Sequence, residues 1–154
     1  SGQSRFFRAE GDLGYSGLQI REYDKPETTP VEITVEVRQL DELFQGSRLD
    51  FIKLDIEGGE YDALSGGRRL LDQFRPVCAF EFGGRSYRAY NVDEGRMYDL
   101  FSEYGYTLYD IVGNALLTRE LFVCSATTGG LWDYFALPPD YPSSNEVASG
   151  MCID

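Results

Sequence analysis

Histidine is absent from this sequence of 154 residues. Without it the chain cannot build the Ser-His-Asp or Cys-His arrangements of nucleophilic hydrolases, or a zinc site that uses imidazole. Acid–base chemistry therefore falls to carboxylates, tyrosine or lysine. The sequence also has no apolar run near the roughly 20 residues of a membrane-spanning helix, so we expect no membrane partner.

Cysteine and basic residues are both scarce. The three cysteines are widely spaced, at positions 78, 124 and 152. Such spacing is typical of neither a disulfide framework nor a metal site and favours a reducing, cytoplasmic compartment. The 14 basic residues stand against 26 acidic ones, which gives a formal charge of -12. Because nucleic-acid affinity depends mainly on Lys and Arg, this balance argues against a nucleic-acid partner and suits a cationic ligand.

Hydrophobic patterning predicts a single α/β domain over residues 1–140, followed by a C-terminal tail over 141–154. The predicted strands are 5–20 (an N-terminal β-hairpin), 31–37, 50–55, 77–82, 106–112 and 120–125. The predicted helices are a turn at 40–44, a helix over 59–74 and a helix from an Asn91 cap to Gly105. This order predicts parallel strands with an antiparallel pair at one edge, turned at Gly113-Asn114.

The most informative segment is the acidic turn, residues 55–60, which follows the predicted strand at 50–55. Its charged and flexible members are Asp55, Glu57, Gly58, Gly59 and Glu60. In open α/β sheets, ligands bind in the crevice beyond the carboxyl ends of the strands, so these carboxylates are candidate site residues. Gly58 would allow a ligand or another backbone to approach closely.

Glu81 ends the next predicted strand and should face the same crevice. A carboxylate whose pKa is tuned toward neutrality can take a proton from a hydroxyl, and Asp55 is the first candidate for this role. Two other interpretations stay open. Glu57 and Glu60 can instead cap free N–H groups and complement the helix dipole. Alternatively, Asp55, Glu57 and Glu81 could bind a hard cation such as Mg²⁺.

Residues 52–60, with the sequence IKLDIEGGE, resemble the central motif of the FkbM-type methyltransferases. In that family an apolar strand ends in K-[IL]-D-[VI]-E-G-x-E and is followed by L-x-G. The likeness continues through Leu64-Ser65-Gly66, the strand that ends in Glu81, and the segment 132–138. The clear part of the resemblance covers residues 31–140.

The resemblance implies the seven-stranded, Rossmann-like class I fold of S-adenosylmethionine-dependent methyltransferases. It also implies transfer of a methyl group to a hydroxyl of a sugar or natural-product acceptor. Asp55, Glu57 and Glu81 would then be catalytic. The implied cofactor contacts are Asp55, Gly58, Ser16 and Gly17, although a plain turn explains Ser16 and Gly17 equally well.

One feature of that family has no counterpart in the sequence. Such folds bind the cofactor through a Gly-rich loop after the first strand and an acidic residue that ends the second, and neither is found here. We therefore expect a partial fold, truncated at its N-terminus, and little activity from the chain alone.

Two hypotheses compete with the methyltransferase. Asp50, Asp55 and Glu57 fall at the spacing of the D-x-x-D-x-D-x-E strand of chitinase-like glycosidases, in which the last glutamate protonates the leaving oxygen. However, Lys53 replaces one aspartate of that pattern, and the chain is shorter than the roughly 250 residues typical of an eight-fold barrel. The other hypothesis is an acidic α/β module without catalysis, in which the carboxylates only cap and solvate.

Overall fold

The computed structural model describes residues 1–128 and 130–141, with the backbone alone at 84–86, so the predicted tail beyond residue 141 lies outside the described residues. The strands are β1 (Gly2–Glu10), β2 (Thr29–Val37), β3 (Phe51–Leu54), β4 (Val77–Glu81), β5 (Thr107–Asp110), β6 (Ala115–Leu116) and β7 (Asp133–Leu137). The helices are α1 (Leu40–Leu43), α2 (Glu60–Ser65), α3 (Arg68–Phe74), α4 (Gly84–Tyr90), α5 (Gly95–Glu103) and α6 (Arg119–Thr128). Within these residues no helix is long and apolar enough to cross a membrane.

A five-stranded mixed sheet, in the order β3-β4-β7-β5-β6, forms the centre of the fold. β3 and β4 are parallel, whereas β7 runs antiparallel between β4 and β5, and β6 pairs antiparallel with β5 at the far edge. β3, β4 and β5 therefore point the same way, and their carboxyl ends meet at one edge of the sheet, together with the start of β7. The predicted α/β class is confirmed, but among the described strands only β3 and β4 form a parallel pair, because β7 lies between β4 and β5.

An antiparallel hairpin is present at the N-terminus, but the prediction that it lies within residues 5–20, with 15–20 as the returning strand, is wrong. β1 pairs instead with β2 over nine residues, from Gly2 opposite Val37 to Glu10 opposite Thr29. This long ladder offers β1 more backbone hydrogen bonds than residues 15–20 can, since the backbone of that segment meets β1 at the bridge between Phe7 and Gly17. Residues 11–28, called the connecting loop below, join the two strands of the pair.

The predicted helix over 59–74 is two helices in the structure. α2 ends at Ser65, and α3 starts with a cap supplied from elsewhere in the chain. The Asp41 carboxylate, in α1, accepts hydrogen bonds from the backbone N–H groups of Arg69 and Leu70 at 3.0 and 3.1 Å. A cap of this kind satisfies the free donors of a helix start. The second helix start depends on a long-range contact that local spacing does not reveal.

The predicted strand at 120–125 is also wrong, since these residues lie in α6. Phe122 is fully buried, and Ala126, one helical turn later, is 3% exposed, whereas Leu121 is 50% exposed. The Thr118 hydroxyl accepts a hydrogen bond from the Leu121 N–H at 3.3 Å, as an N-cap residue does. The apolar run in the sequence is therefore one stripe of a helix and not a buried strand.

The predicted Asn91 helix cap is wrong as well. Asn91 has a left-handed backbone, with φ of 52°, and ends α4. The next helix, α5, begins at Gly95, whose N–H donates to the Asp93 carboxylate at 3.0 Å. Asp93 therefore supplies the side-chain acceptor that the pattern assigned to Asn91.

Aromatic packing holds one face of the sheet against the helices. Leu54 and Tyr134 are register partners of Phe80 on either side. The Phe80 ring stacks on Phe101 of α5 and on Tyr134, with centroids 5.3 and 5.9 Å apart. Because side chains alternate along a strand, Glu81, next to Phe80, lies on the opposite face from this core. The fold therefore places Glu81 at the carboxyl edge and outside the aromatic cluster.

Gly83→Ala should lower the free energy of unfolding by about 2–4 kcal/mol. The residue has φ of +115°, and an added Cβ would lie 2.8 Å from the backbone oxygen of Ala126, which cannot move independently of α6. Urea-induced unfolding measures the effect. Gly113→Ala is the matched control, because Gly113 also has positive φ (+92°) but no atom within 4 Å of the added Cβ. It should lose only about 1–2 kcal/mol of backbone strain, and equal losses in the two variants would contradict the steric explanation.

Candidate active site

The acidic turn is organised around the buried carboxylate of Glu60, which is 1% exposed. One oxygen accepts the N–H of Ile56 at 2.8 Å, and the other accepts the N–H of Gly58 at 2.9 Å. Burial raises the pKa of Glu60, and these hydrogen bonds oppose the rise. Both oxygens are thus committed to the backbone of the turn, which fits the capping interpretation for this residue and leaves it no free oxygen for a substrate.

The turn itself has an unusual backbone. Glu57 and Gly58 both have positive φ, at 64° and 107°. Glycine adopts such angles freely, but a residue with a Cβ loses about 1–2 kcal/mol there. The Glu57 carboxylate forms an ion pair with Arg21 of the connecting loop, with 2.6 Å between Oε2 and Nη1. Strain of this kind at a strand end is typical of functional turns.

Glu81 ends β4 opposite Asp133, the first residue of β7. Its pKa is raised to about 7, first by burial and then by the negative charges of Glu57, Asp55, Glu60 and Asp133. These charges act on Glu81 because the carboxyl ends of β3 and β4 meet at the same edge of the sheet. The structure therefore brings together the three residues that the sequence analysis predicts to be catalytic, although their catalytic roles stay a prediction.

Asp55 is the most accessible carboxylate of this group. Its side chain is 58% exposed, and its ion-pair partner is Lys53, whose ammonium lies 3.5 Å away and is itself half exposed. An exposed pair of this kind contributes little to stability. Asp55 is therefore free to turn toward a ligand, in contrast to Glu60.

The predicted cofactor residues Ser16 and Gly17 lie beside the acidic turn but have local partners. The Ser16 hydroxyl accepts the N–H of Ala9 at 3.0 Å. Gly17 exchanges two backbone hydrogen bonds with Phe7, and a Cβ at Gly17 would lie 3.2 Å from the Tyr90 hydroxyl. Packing thus accounts for the glycine. Gly58, the remaining cofactor prediction apart from Asp55, has its N–H engaged by Glu60.

A groove of about 580 Å³ opens next to the acidic turn. Gly17 and Tyr90 form part of its wall on one side, and Ile56 and Gly59 belong to the turn. The groove falls within the size range of small-molecule sites, which is about 300–1,000 Å³. A ligand that occupies it would contact the backbone of the turn.

Three neighbours of the site were missed by sequence reasoning. Arg21 and Tyr90 come from the connecting loop and from α4, and Asp133 comes from the start of β7, which is a strand that the sequence analysis did not predict. Only Asp133 carries a usable signal, because an acidic residue opens the alternating run of residues 133–137. In the described part of the chain, no three His, Cys, Asp or Glu residues are arranged to hold a metal ion.

Comparison with known families yields one match. A family model described as the Methyltransferase FkbM domain matches residues 1–108. This span includes β1 to β4 and therefore the acidic turn and Glu81. No curated protein and no solved structure shows a significant match to the chain.

Glu81→Gln should raise the free energy of unfolding relative to wild type, and it should do so more at high pH than at low pH. In the folded state Glu81 has a pKa of about 7 against an ordinary value of 4.5. The folded state thus holds this proton more tightly, and wild-type stability falls as pH rises between these values. After allowance for solvent screening of a half-buried group, the free energy of unfolding of the variant relative to wild type should be about 1 kcal/mol higher at about pH 8 than at about pH 4.

Urea unfolding measures the difference, and ¹³C NMR titration of the Glu81 carboxyl reports its midpoint directly. Asp50→Asn is the control, because Asp50 is exposed and paired with Arg48. This variant should show no change in stability near neutral pH. A Glu81 midpoint near the ordinary value for glutamate would contradict the electrostatic description of the site.

Proposed function

Because the chain belongs to the FkbM methyltransferase domain family, we propose that it forms the acceptor side of an S-adenosylmethionine-dependent O-methyltransferase. The methyl group would go to a hydroxyl of a sugar or natural-product acceptor. Methyl transfer is an in-line displacement, in which correct placement of the two reactants supplies much of the rate. The chain's own contribution would be to hold the hydroxyl and to take up its proton.

The observation that carries the proposal is the position and acidity of Glu81. A general base works best when its pKa lies near the operating pH. With a pKa of about 7, Glu81 meets this condition without histidine, and it stands at the strand edge where ligands bind in such sheets. We therefore assign proton uptake to Glu81 and not to Asp55, the first candidate from the sequence.

The residues of the acidic turn fit the cofactor's charge. S-adenosylmethionine carries a cationic sulfonium, which supplies the methyl group when bound. Asp55, with its exposed carboxylate, would lie toward that positive charge. Gly17 and Gly59, in the wall of the groove, would contact its uncharged part. The Gly-rich loop and second-strand acid of such folds are missing from the sequence, so we expect this chain alone to bind the cofactor weakly.

The competing hypotheses have less support. The glycosidase hypothesis calls for a closed eight-fold barrel, whereas the described strands form an open five-stranded sheet that ends at β3 and β6 and a separate two-stranded pair. The non-catalytic interpretation accounts for Glu60, whose oxygens are both occupied by backbone N–H groups. It gives no role to Glu81, which is half-buried at the carboxyl edge of the sheet with a pKa of about 7.

Glu81→Gln should abolish methyl transfer and leave cofactor binding intact, because glutamine cannot accept the proton. Calorimetry with S-adenosylmethionine measures binding, and formation of S-adenosylhomocysteine with a panel of sugar and natural-product hydroxyl acceptors measures transfer. A longer polypeptide that supplies the Gly-rich cofactor loop is the form to test. In the Glu81→Gln variant the rate of methyl transfer should fall by at least about 100-fold. Asp55→Asn should instead weaken cofactor binding.

Glu103→Gln serves as the control, since Glu103 lies at the end of α5 and pairs with Arg68. It should change neither readout. Absence of cofactor binding by the longer polypeptide would contradict the methyltransferase proposal. Full activity of Glu81→Gln would contradict the role of Glu81, and release of a chromophore from an aryl chitobioside would favour the glycosidase.

A further inference from the structure

Arg21 is a buried cation beside the acidic turn. Only 8% of its side chain is exposed, and its Nη1 lies 2.6 Å from Oε2 of Glu57. The guanidinium carbon lies 4.2 Å from the centroid of the Tyr15 ring, which is within the range of a cation–π contact. The connecting loop thus holds the positive charge of Arg21 beside the Glu57 carboxylate.

This arrangement is costly for the fold. The Nε of Arg21 is buried and has no hydrogen-bond partner in the described part of the chain. A buried donor without a partner costs about 1–3 kcal/mol, and buried ion pairs are weak sources of stability. Glu57 has in addition a left-handed backbone. Because both partners of the Arg21–Glu57 pair have an unfavourable feature, we infer that the pair contributes to the site and not to the stability of the fold.

The connecting loop also contacts α4 and the acidic turn through its backbone. The backbone N–H of Leu18 donates to the Tyr90 hydroxyl of α4 at 3.0 Å. A Cβ added at Gly17 would lie 3.8 Å from the backbone oxygen of Glu57. The loop therefore lies directly against the left-handed residue of the turn, and the Arg21–Glu57 pair joins the two by their side chains.

We propose that Arg21 is a positioning residue, which holds Glu57 in the acidic turn and occupies its carboxylate, so that Glu81 is left to receive the proton. This inference rests on the proposed function of Glu81. The charges that bear on Glu81 from neighbouring elements are Asp55, Glu57, Glu60 and Asp133. Arg21 offsets one of these four by pairing with Glu57.

Arg21→Gln should release Glu57 and leave its charge uncompensated near Glu81. The Glu81 titration midpoint, followed by ¹³C NMR, should rise by at least about 0.3 pH units, a two-fold change in proton affinity. Amide hydrogen exchange of Leu18 should become at least about ten-fold faster, since the loop loses its fastening to the turn. Arg21→Lys should restore most of both properties, because it keeps the charge.

The double variant Arg21→Gln/Glu57→Gln separates this role from a general loss of structure. In the Glu57→Gln background, loss of Arg21 should no longer move the Glu81 midpoint. Arg8→Gln is the matched control, because Arg8 is a half-exposed arginine of β1 paired with Glu10. It should leave both readouts unchanged.

An unchanged Glu81 midpoint in Arg21→Gln would overturn the inference, as would an equal shift with and without Glu57. If Arg21→Gln does not fold, Glu57→Gln and Arg21→Lys decide the matter. Faster exchange at Leu18 in Glu57→Gln, with wild-type exchange in Arg21→Lys, supports the inference, and wild-type exchange in Glu57→Gln overturns it. None of these readouts uses methyl transfer, so failure of this inference and failure of the proposed function are distinguishable.

Discussion

The candidate site depends on the two hydrogen bonds that the Glu60 carboxylate accepts from Ile56 and Gly58. A charged acceptor with two backbone donors in a buried position is among the stronger polar arrangements in proteins. It fixes a turn in which Glu57 and Gly58 take positive φ. Without this carboxylate, the N–H groups of Ile56 and Gly58 would lose their acceptor, and nothing would offset the strain of the positive φ angles. The candidate site residues of the turn are thus held in place by a carboxylate whose own oxygens are both engaged by backbone N–H groups.

The same turn divides the carboxylates into different environments. Glu60 is buried and engaged by backbone donors, Glu57 is paired with a cation, and Asp55 is largely exposed. Glu81 is half-buried, and its pKa is raised first by burial and then by the surrounding negative charge. Neighbouring groups of one chemical type can take different roles when burial and partners differ in this way. Such differences are what the proposed acid–base role of Glu81 requires in a chain without histidine.

Sequence reasoning predicted the elements that local patterns specify. The strand before Asp55, the strand that ends in Glu81 and the turn at Gly113-Asn114 are all confirmed. The burial expected for the first of these strands is wrong, because β3 lies at the edge of the sheet and its Phe51 is 51% exposed. It failed where distant residues decide the structure. β1 pairs with β2 instead of with residues 15–20, and the Asp41 carboxylate caps the start of α3 from a distant part of the chain. Likewise, the pattern placed Asp55, Glu57 and Glu81 at one edge but could not reveal Arg21, because no local signal connects the loop to the turn.

Amide hydrogen exchange at Ile56 and Gly58 tests the central claim most directly. Wild-type protein should protect both amides as strongly as the backbone of the central sheet, because their acceptor is a buried carboxylate. Glu60→Gln keeps the shape but provides only one acceptor oxygen, so at least one of the two amides should exchange ten-fold faster or more, with Phe80 unchanged. Exchange of both amides at the rate of an unstructured chain in the wild type would contradict the account.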